Sequence, residues 1–239
     1  SKAEEDGGNF SRALEYRRKA IEAGPRGRDW GLGFYAGLVI NYATLGDVKA
    51  AEALLPEVSR LYYASMRGTY SASDRSGDDA HFALAQATLL EATGKYADAE
   101  PLYRRAETVL ASDSKWAGEV WLDRVRQHLA RVLIRQGHLL EAESEARRAL
   151  LGALVKHGRY SSRTAGRLHS LVWVLREQGR YGESEALARA AIDIYVRIGA
   201  APESLAFARA REQLAITLEL QGRYREALVE YEAIDAGLS

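Results

Sequence analysis

The sequence predicts an all-α fold: a right-handed superhelical solenoid of stacked antiparallel helix pairs, about eleven helices in all. Three observations predict it. A short phrase recurs at nearly fixed spacing along the chain. An apolar stripe of helical period precedes most copies of the phrase. Proline, which interrupts helices, occurs only four times in 239 residues.

The phrase is a glycine, a large apolar residue two positions on, a small residue five on and an alanine twelve on. It reads Gly94, Tyr96, Ala99, Ala106, and again Gly137, Leu139, Ala142, Ala149. A third copy is Gly179, Tyr181, Ser184, Ala191, and a fourth is Gly222, Tyr224, Ala227, Ile234. Weaker copies precede them at Gly46, Val48, Ala51, Val58 and at Gly8, Phe10, Ala13, Ala20. The glycines are spaced 38, 48, 43, 42 and 43 residues apart. A period of this length marks a repeat architecture.

Taken in order, the elements are one unpaired helix from about Asn9 to Ala23 and then five complete pairs. The first helices of the pairs carry the stripes Leu38, Val39, Tyr42; Ala87, Leu90; Leu129, Ala130, Leu133; Leu171, Val172, Leu175; and Leu214, Ala215, Leu218. Each stripe stops just before its glycine, where a left-handed residue closes a helix. The second helix starts at once, with Asp98, Glu141, Glu183 or Glu226 in the first turn, where the helix dipole favours a negative charge. The small residues Ala99, Ala142, Ser184 and Ala227 allow two helix axes to approach closely. One such hairpin cannot bury its apolar face alone, so the hairpins stack. Breaks between hairpins are expected at 111–115, 157–162 and 199–203. The widest glycine spacing contains residues 65–79, rich in Ser, Gly and Asp. They are expected to form an exposed loop and the first site of proteolysis. The chain is read as one solenoid domain over 1–239, a piece of a longer protein cut inside an array.

The segments GKYADAEPLYRRA (94–106) and GRYREALVEY (222–231) resemble tetratricopeptide repeats. The period near 42 is similar to the longer repeats of kinesin light chains and of many bacterial arrays. The resemblance covers essentially the whole chain. It implies a non-catalytic module that binds a peptide or protein segment along its first helices. It also implies an alternative, since bacterial arrays of this kind are frequently fused to caspase-like (CHAT) proteases. The chain would then be a regulatory arm contacting its own fused domain.

In such a stack the first helices line the concave face, and fixed offsets from each glycine place residues on it. The candidate partner-binding residues are Arg124, Gln127, His128, Arg131 and Arg135 on one helix, His169, Trp173 and Arg176 on the next, and Arg209 and Gln213 on the last. Residues 120–180 hold twelve Lys plus Arg against five Asp plus Glu, in a chain whose overall charge is zero. Guanidinium groups pair in a fork with carboxylates, and an aromatic among them supplies an anchor. The expected ligand is therefore acidic with a hydrophobic residue. The competing expectation is that these arginines pair with Glu and Asp of neighbouring helices. Kinesin-light-chain-like repeats often carry asparagines ten and nine residues before the glycine. This chain has none there, and Gln127 and Gln213 are the nearest substitutes. Trp30 and Trp121 share one offset, sixteen before their glycines, which suits packing.

Other chemistry finds no residues to carry it. The chain has no cysteine, which removes disulfides and thiolate sites and points to a reducing, cytoplasmic compartment. The five histidines form no i, i+4 pair, and no metal or cofactor is expected. Asp74, Asp78 and Asp79 lack the late glutamate of a calcium loop, because position 85 is Ala85. Neither a nucleophile elbow nor a phosphate loop occurs, so no enzyme activity is expected. No apolar run is long enough to span a bilayer, and no membrane partner is expected. The zero net charge argues against nucleic acid.

Overall fold

A computed structural model describes residues 31–68, 72–112, 120–201 and 204–238, together with Glu15 and Lys19. Ten helices lie among them, in five pairs. They are α1 (Leu32–Thr44), α2 (Val48–Arg67), α3 (Ala72–Ala92), α4 (Tyr96–Ser112) and α5 (Val120–Arg135). They continue as α6 (Leu139–His157), α7 (Ser162–Glu177), α8 (Tyr181–Arg197), α9 (Leu205–Leu220) and α10 (Tyr224–Leu238). The expected helix at 9–23 and the turn at Gly8 lie outside the described residues, save that Glu15 and Lys19 are helical and form an i, i+4 ion pair.

The chain divides into two compact units, the first ending at Val132 and the second beginning at Leu133. In the first, α1 packs on α2 and α3, α2 on α3, and α3 on α4. In the second, α6 packs on α7, α7 on α8 and α9, α8 on α9, and α9 on α10. Each unit is thus a stack of antiparallel hairpins in which a first helix touches its own partner and the next repeat.

The local reasons are those written in the phrase. Gly137 and Gly179 adopt φ of 80° and 73°, a region where a Cβ is costly, and Gly46, Gly94 and Gly222 do the same. At Gly179 the chain closes α7 by donating Gly179 N–H to Arg176 and Arg180 N–H to Leu175, at 2.9 Å each. The small residue five positions on is buried in four repeats, as Ala99, Ala142, Ser184 and Ala227. Where it is serine, its hydroxyl donates to the Val172 carbonyl at 3.1 Å and also meets the Thr217 hydroxyl. The polar substitution is therefore satisfied. The stripes of the first helices form the core: Leu38, Val39, Leu129, Leu133, Leu171, Leu175, Leu214 and Leu218 are all buried.

The second unit carries a polar staple repeated in register. Gln178 and Arg180, on either side of Gly179, donate to Glu143 of α6 at 3.0 and 2.8 Å. Gln221 and Arg223, on either side of Gly222, donate to Glu185 of α8 at 3.0 and 2.7 Å. Burial raises the Glu185 pKa, but Arg189, Arg223 and the Gln221 amide outweigh it and hold it down to about 2.

The exposed loop expected over 65–79 is not there. Helix α2 runs to Arg67 and α3 starts at Ala72, so most of the segment is helical. Its polar residues are used rather than solvated. The Ser65 hydroxyl donates to Asp78, Tyr62 donates to Asp79 at 2.8 Å, and Arg105 of α4 closes on the same carboxylate. Composition read as loop was a set of hydrogen-bonding partners between α2, α3 and α4.

Two glycine substitutions should differ in sign. Gly179→Ala should destabilise by about 1 kcal/mol, because φ is positive. Gly166→Ala, inside α7 with open space where the methyl would go, should stabilise by about 0.5–1 kcal/mol. Urea unfolding of both variants checks the contrast.

Candidate functional site

The ten residues expected on one face fall into two groups, one in each unit, and the two groups behave differently. In the first unit His128 and Arg131 belong to a polar cluster around Glu91, and Arg124 is buried on the same helix. Tyr103 of α4 donates its hydroxyl to Glu91 Oε2 at 2.6 Å, and His128 Nδ1 lies 2.9 Å from the same oxygen. The His128 ring stacks on Tyr103 at 5.4 Å. Arg131 donates its Nε–H to the other carboxylate oxygen. Arg124 is 8% exposed and stands 5.0 Å over the Trp121 ring, whose edge meets His81. Trp121 thus has the packing role its offset suggested. Trp30 lies outside the described residues.

The electrostatics follow from burial. Burial raises the Glu91 pKa, but His128 and the Arg131 guanidinium outweigh it and hold the carboxyl well below its usual range. Burial, reinforced by Arg131, pushes His128 down from the usual 6.5. Burial and the neighbouring Glu91 carboxylate push the Tyr103 phenol well above 10. The cluster is an ionised carboxylate with a guanidinium, a neutral imidazole and a neutral phenol.

Arg124 and His128, expected on the ligand face, are buried, and Arg131 is paired with Glu91. His128 is 7% exposed, and the Arg131 charge is already matched by Glu91 even though 41% of its side chain remains exposed. The sequence held the signal. Glu91 sits three residues before Gly94, at the same kind of face offset as its partners, so a carboxylate was placed opposite them. Gln127 is half-buried beside this cluster.

In the second unit the arginines are not matched in this way. Trp173 of α7 is half-buried, and its indole N–H donates to Glu177 Oε1 at 2.9 Å. The exposed Arg135 guanidinium lies 5.0 Å over the same ring. Arg176, partly buried, donates to the neutral carbonyl of Gln213 on α9 at 3.0 Å. Burial lowers the Arg176 pKa, and Glu177 and Glu212 act on it only through space. Arg209 is exposed on α9, and His169 is half-buried on α7. Among the described residues neither Arg135, Arg176 nor Arg209 forms an ion pair with a carboxylate. The arrangement offers an aromatic surface, a guanidinium lying on it, and a second, partly desolvated guanidinium beside it. Such a set can meet an anionic group and an apolar one side by side. Among the described residues no three His, Asp or Glu gather as a metal site.

Comparisons with known proteins agree with this architecture. Residues 164–198 and 208–233 match two tetratricopeptide repeat family models. These segments are α7 with α8 and most of α9 with α10. Among solved structures, BtubC (BKLC) from P. vanneervenii is similar over 99% of this chain and 91% of its own, at 16% identity and a TM-score of 0.67. A putative kinesin light chain with nearly identical TPR-like repeats, from Podosopora anserina, is similar over 85% of this chain and 92% of its own, at 18% identity and a TM-score of 0.61. The apo form of RapI is similar over 96% of this chain and 59% of its own, at 12% identity and a TM-score of 0.59. Likeness at these identities is likeness of fold. No curated protein sequence matches the chain.

Acid should weaken the first unit. Below about pH 6.5 the unfolded chain binds a proton that buried His128 refuses, so stability falls as pH drops toward 5. Below about 4.5 the unfolded carboxyl also binds a proton that Glu91 resists, which adds to the loss. Thermal melts at pH 7 and pH 5 should show the lower midpoint at pH 5, and His128→Gln should shrink that difference. Glu91→Leu at neutral pH should cost about 2 kcal/mol, less than a fully buried pair because Arg131 keeps some solvent.

Proposed function

We infer that this tetratricopeptide-repeat protein, a fold that serves as a protein-interaction scaffold, binds an acidic peptide segment through the second unit. The contact surface is the face of α7 and α9 around Trp173, with the end of α5. In this reading Trp173 receives a hydrophobic side chain. Arg135 and Arg176 meet carboxylates on either side of it, and Arg209 extends the positive surface along α9. Gln213 holds the Arg176 guanidinium in place, as a positioning residue. His169 borders the same face. The module is non-catalytic.

One observation carries this reading. Arg176 gives up part of its solvation and receives only a neutral amide in exchange. A partly desolvated cation with no carboxylate of its own favours an anion brought by a partner. Trp173, between that cation and Arg135, adds the apolar contact that fixes register. Arg131, one turn earlier on α5, shows what the same residue type does when the fold supplies the carboxylate itself.

Fluorescence polarisation with a panel of labelled peptides, each carrying Asp or Glu around a single Leu or Phe, tests the reading. Trp173→Ala should weaken the best peptide by about 2 kcal/mol, roughly thirtyfold. Arg176→Gln with Arg135→Gln should weaken acidic peptides and leave neutral ones unchanged. Arg131→Gln should act on stability rather than on affinity. Equal affinity in the Trp173 variant, with helicity retained, would remove the proposed site.

A further inference from the structure

The second unit has an outer edge that the peptide face does not use. On α6 the residues Leu151 and Val155 are 62% and 82% exposed. They stand one helical turn apart, across the helix from the buried Ala142, Ala146, Ala149 and Ala153. Leu154 and Tyr160 are also exposed beside them, and so are Val196 and Ile198 at the end of α8. The Tyr160 ring ties the two ends together, because Arg159 and Arg197 lie 5.4 and 5.2 Å from its centre.

The repeat provides an internal control. Fourteen residues past the turn glycine, where α6 has Leu151, the other second helices have Arg60, Thr108, Asp193 and Ala236. Eighteen past it, where α6 has Val155, they have Ala64, Ser112 and Arg197. The register therefore accepts polar and charged groups at both positions, and packing does not require the aliphatic ones. An exposed cluster of this kind, placed where neighbours are polar, marks a contact surface.

The charge around it has one sign. Between Glu145 and Glu177 there is no Asp or Glu, and seven Lys or Arg fall in that interval. Arg147 and Arg148 are held by Glu143 and Glu145 on their own helix, and Arg176 belongs to the peptide face. Lys156 and Arg159 are exposed beside Val155 and Tyr160 in the chain. Asp193 of α8 is paired with Arg197 at 2.9 Å.

We propose that this edge docks peripherally on an anionic lipid surface, with Leu151, Val155 and Tyr160 entering the interface and Lys156 and Arg159 meeting the phosphate layer. The apolar groups are themselves the protrusions, on a helix ridge. A soft bilayer interface accepts such groups without a preformed pocket, and basic residues beside them add attraction to anionic headgroups. The expectation of no membrane partner rested on the lack of a spanning run. No helix among the described residues is long and apolar enough to cross a membrane, and surface docking needs none.

Sedimentation of the 239-residue chain with vesicles decides this. The vesicles are phosphatidylcholine alone, or phosphatidylcholine with about one-third phosphatidylserine. The chain should sediment with the anionic vesicles at low salt, stay in solution with the neutral ones, and detach as salt is raised. Leu151→Asp with Val155→Asp should reduce the bound fraction about tenfold or more, with circular dichroism unchanged. Lys156→Glu with Arg159→Glu, a pair at the helix end and the loop, should reduce it by about the same factor and decides the matter if the first pair unfolds. No sedimentation of the native chain with anionic vesicles at low salt overturns the proposal. That would also be the outcome if an acidic protein segment occupies the edge. Undiminished binding by both variants overturns it as well.

Discussion

The contact on which the structure depends is the close approach of two helices five residues past each turn glycine. Ala99, Ala142, Ser184 and Ala227 are small and buried; Ser184 bonds the Val172 carbonyl of its first helix, and Ala227 shares a core cluster with Leu214, Ala215 and Leu218 of its own. The preceding glycine sets the angle of entry by taking a positive φ. A larger side chain at the small position would push the helices apart and strip the cover from the leucines of the first helix. Once that spacing is fixed, every other position has a defined fate. It faces its own partner, the neighbouring repeat, or water.

Charge then sorts by register in three ways. Some pairs staple one repeat to the next, as Arg180 with Glu143 and Arg223 with Glu185. These are partly solvated and each contributes little alone, on the order of 0–1 kcal/mol, but they select the neighbour. One set is internal. Glu91 gathers Tyr103, His128 and Arg131 into a cluster that specifies how α3, α4 and α5 meet. The last set, Arg135, Arg176 and Arg209, forms no ion pair with a carboxylate among the described residues, and the proposed ligand contact lies there.

Much of the fold was legible because its signals are local and repeated. The five helix pairs, the positive-φ glycines and the buried stripes all follow from spacing alone. The segment 65–79 was misread because Ser, Gly and Asp signal a loop only when nothing answers their side chains. Here Tyr62 and Arg105 answer them from helices seventeen and twenty-six residues from Asp79. The peptide face was half legible. Trp173, Arg135 and Arg176 can be placed from the register, while the pairing of His128 and Arg131 with Glu91 needs the distance from α3 to α5. The exposed edge of α6 escaped the sequence reading because Leu151 and Val155 look like core residues until their burial is seen.

The central claim is that Trp173 is the ligand contact and Trp121 is a packing residue, although both lie among arginines on neighbouring first helices. The chain has four tryptophans, so their indole N–H signals can be assigned by single substitutions in a proton–nitrogen correlation spectrum. Titration with an acidic, leucine-containing peptide should move the Trp173 indole signal, which leaves its bond to Glu177, and leave the Trp121 signal in place. Movement of Trp121 with Trp173 unchanged would contradict the account.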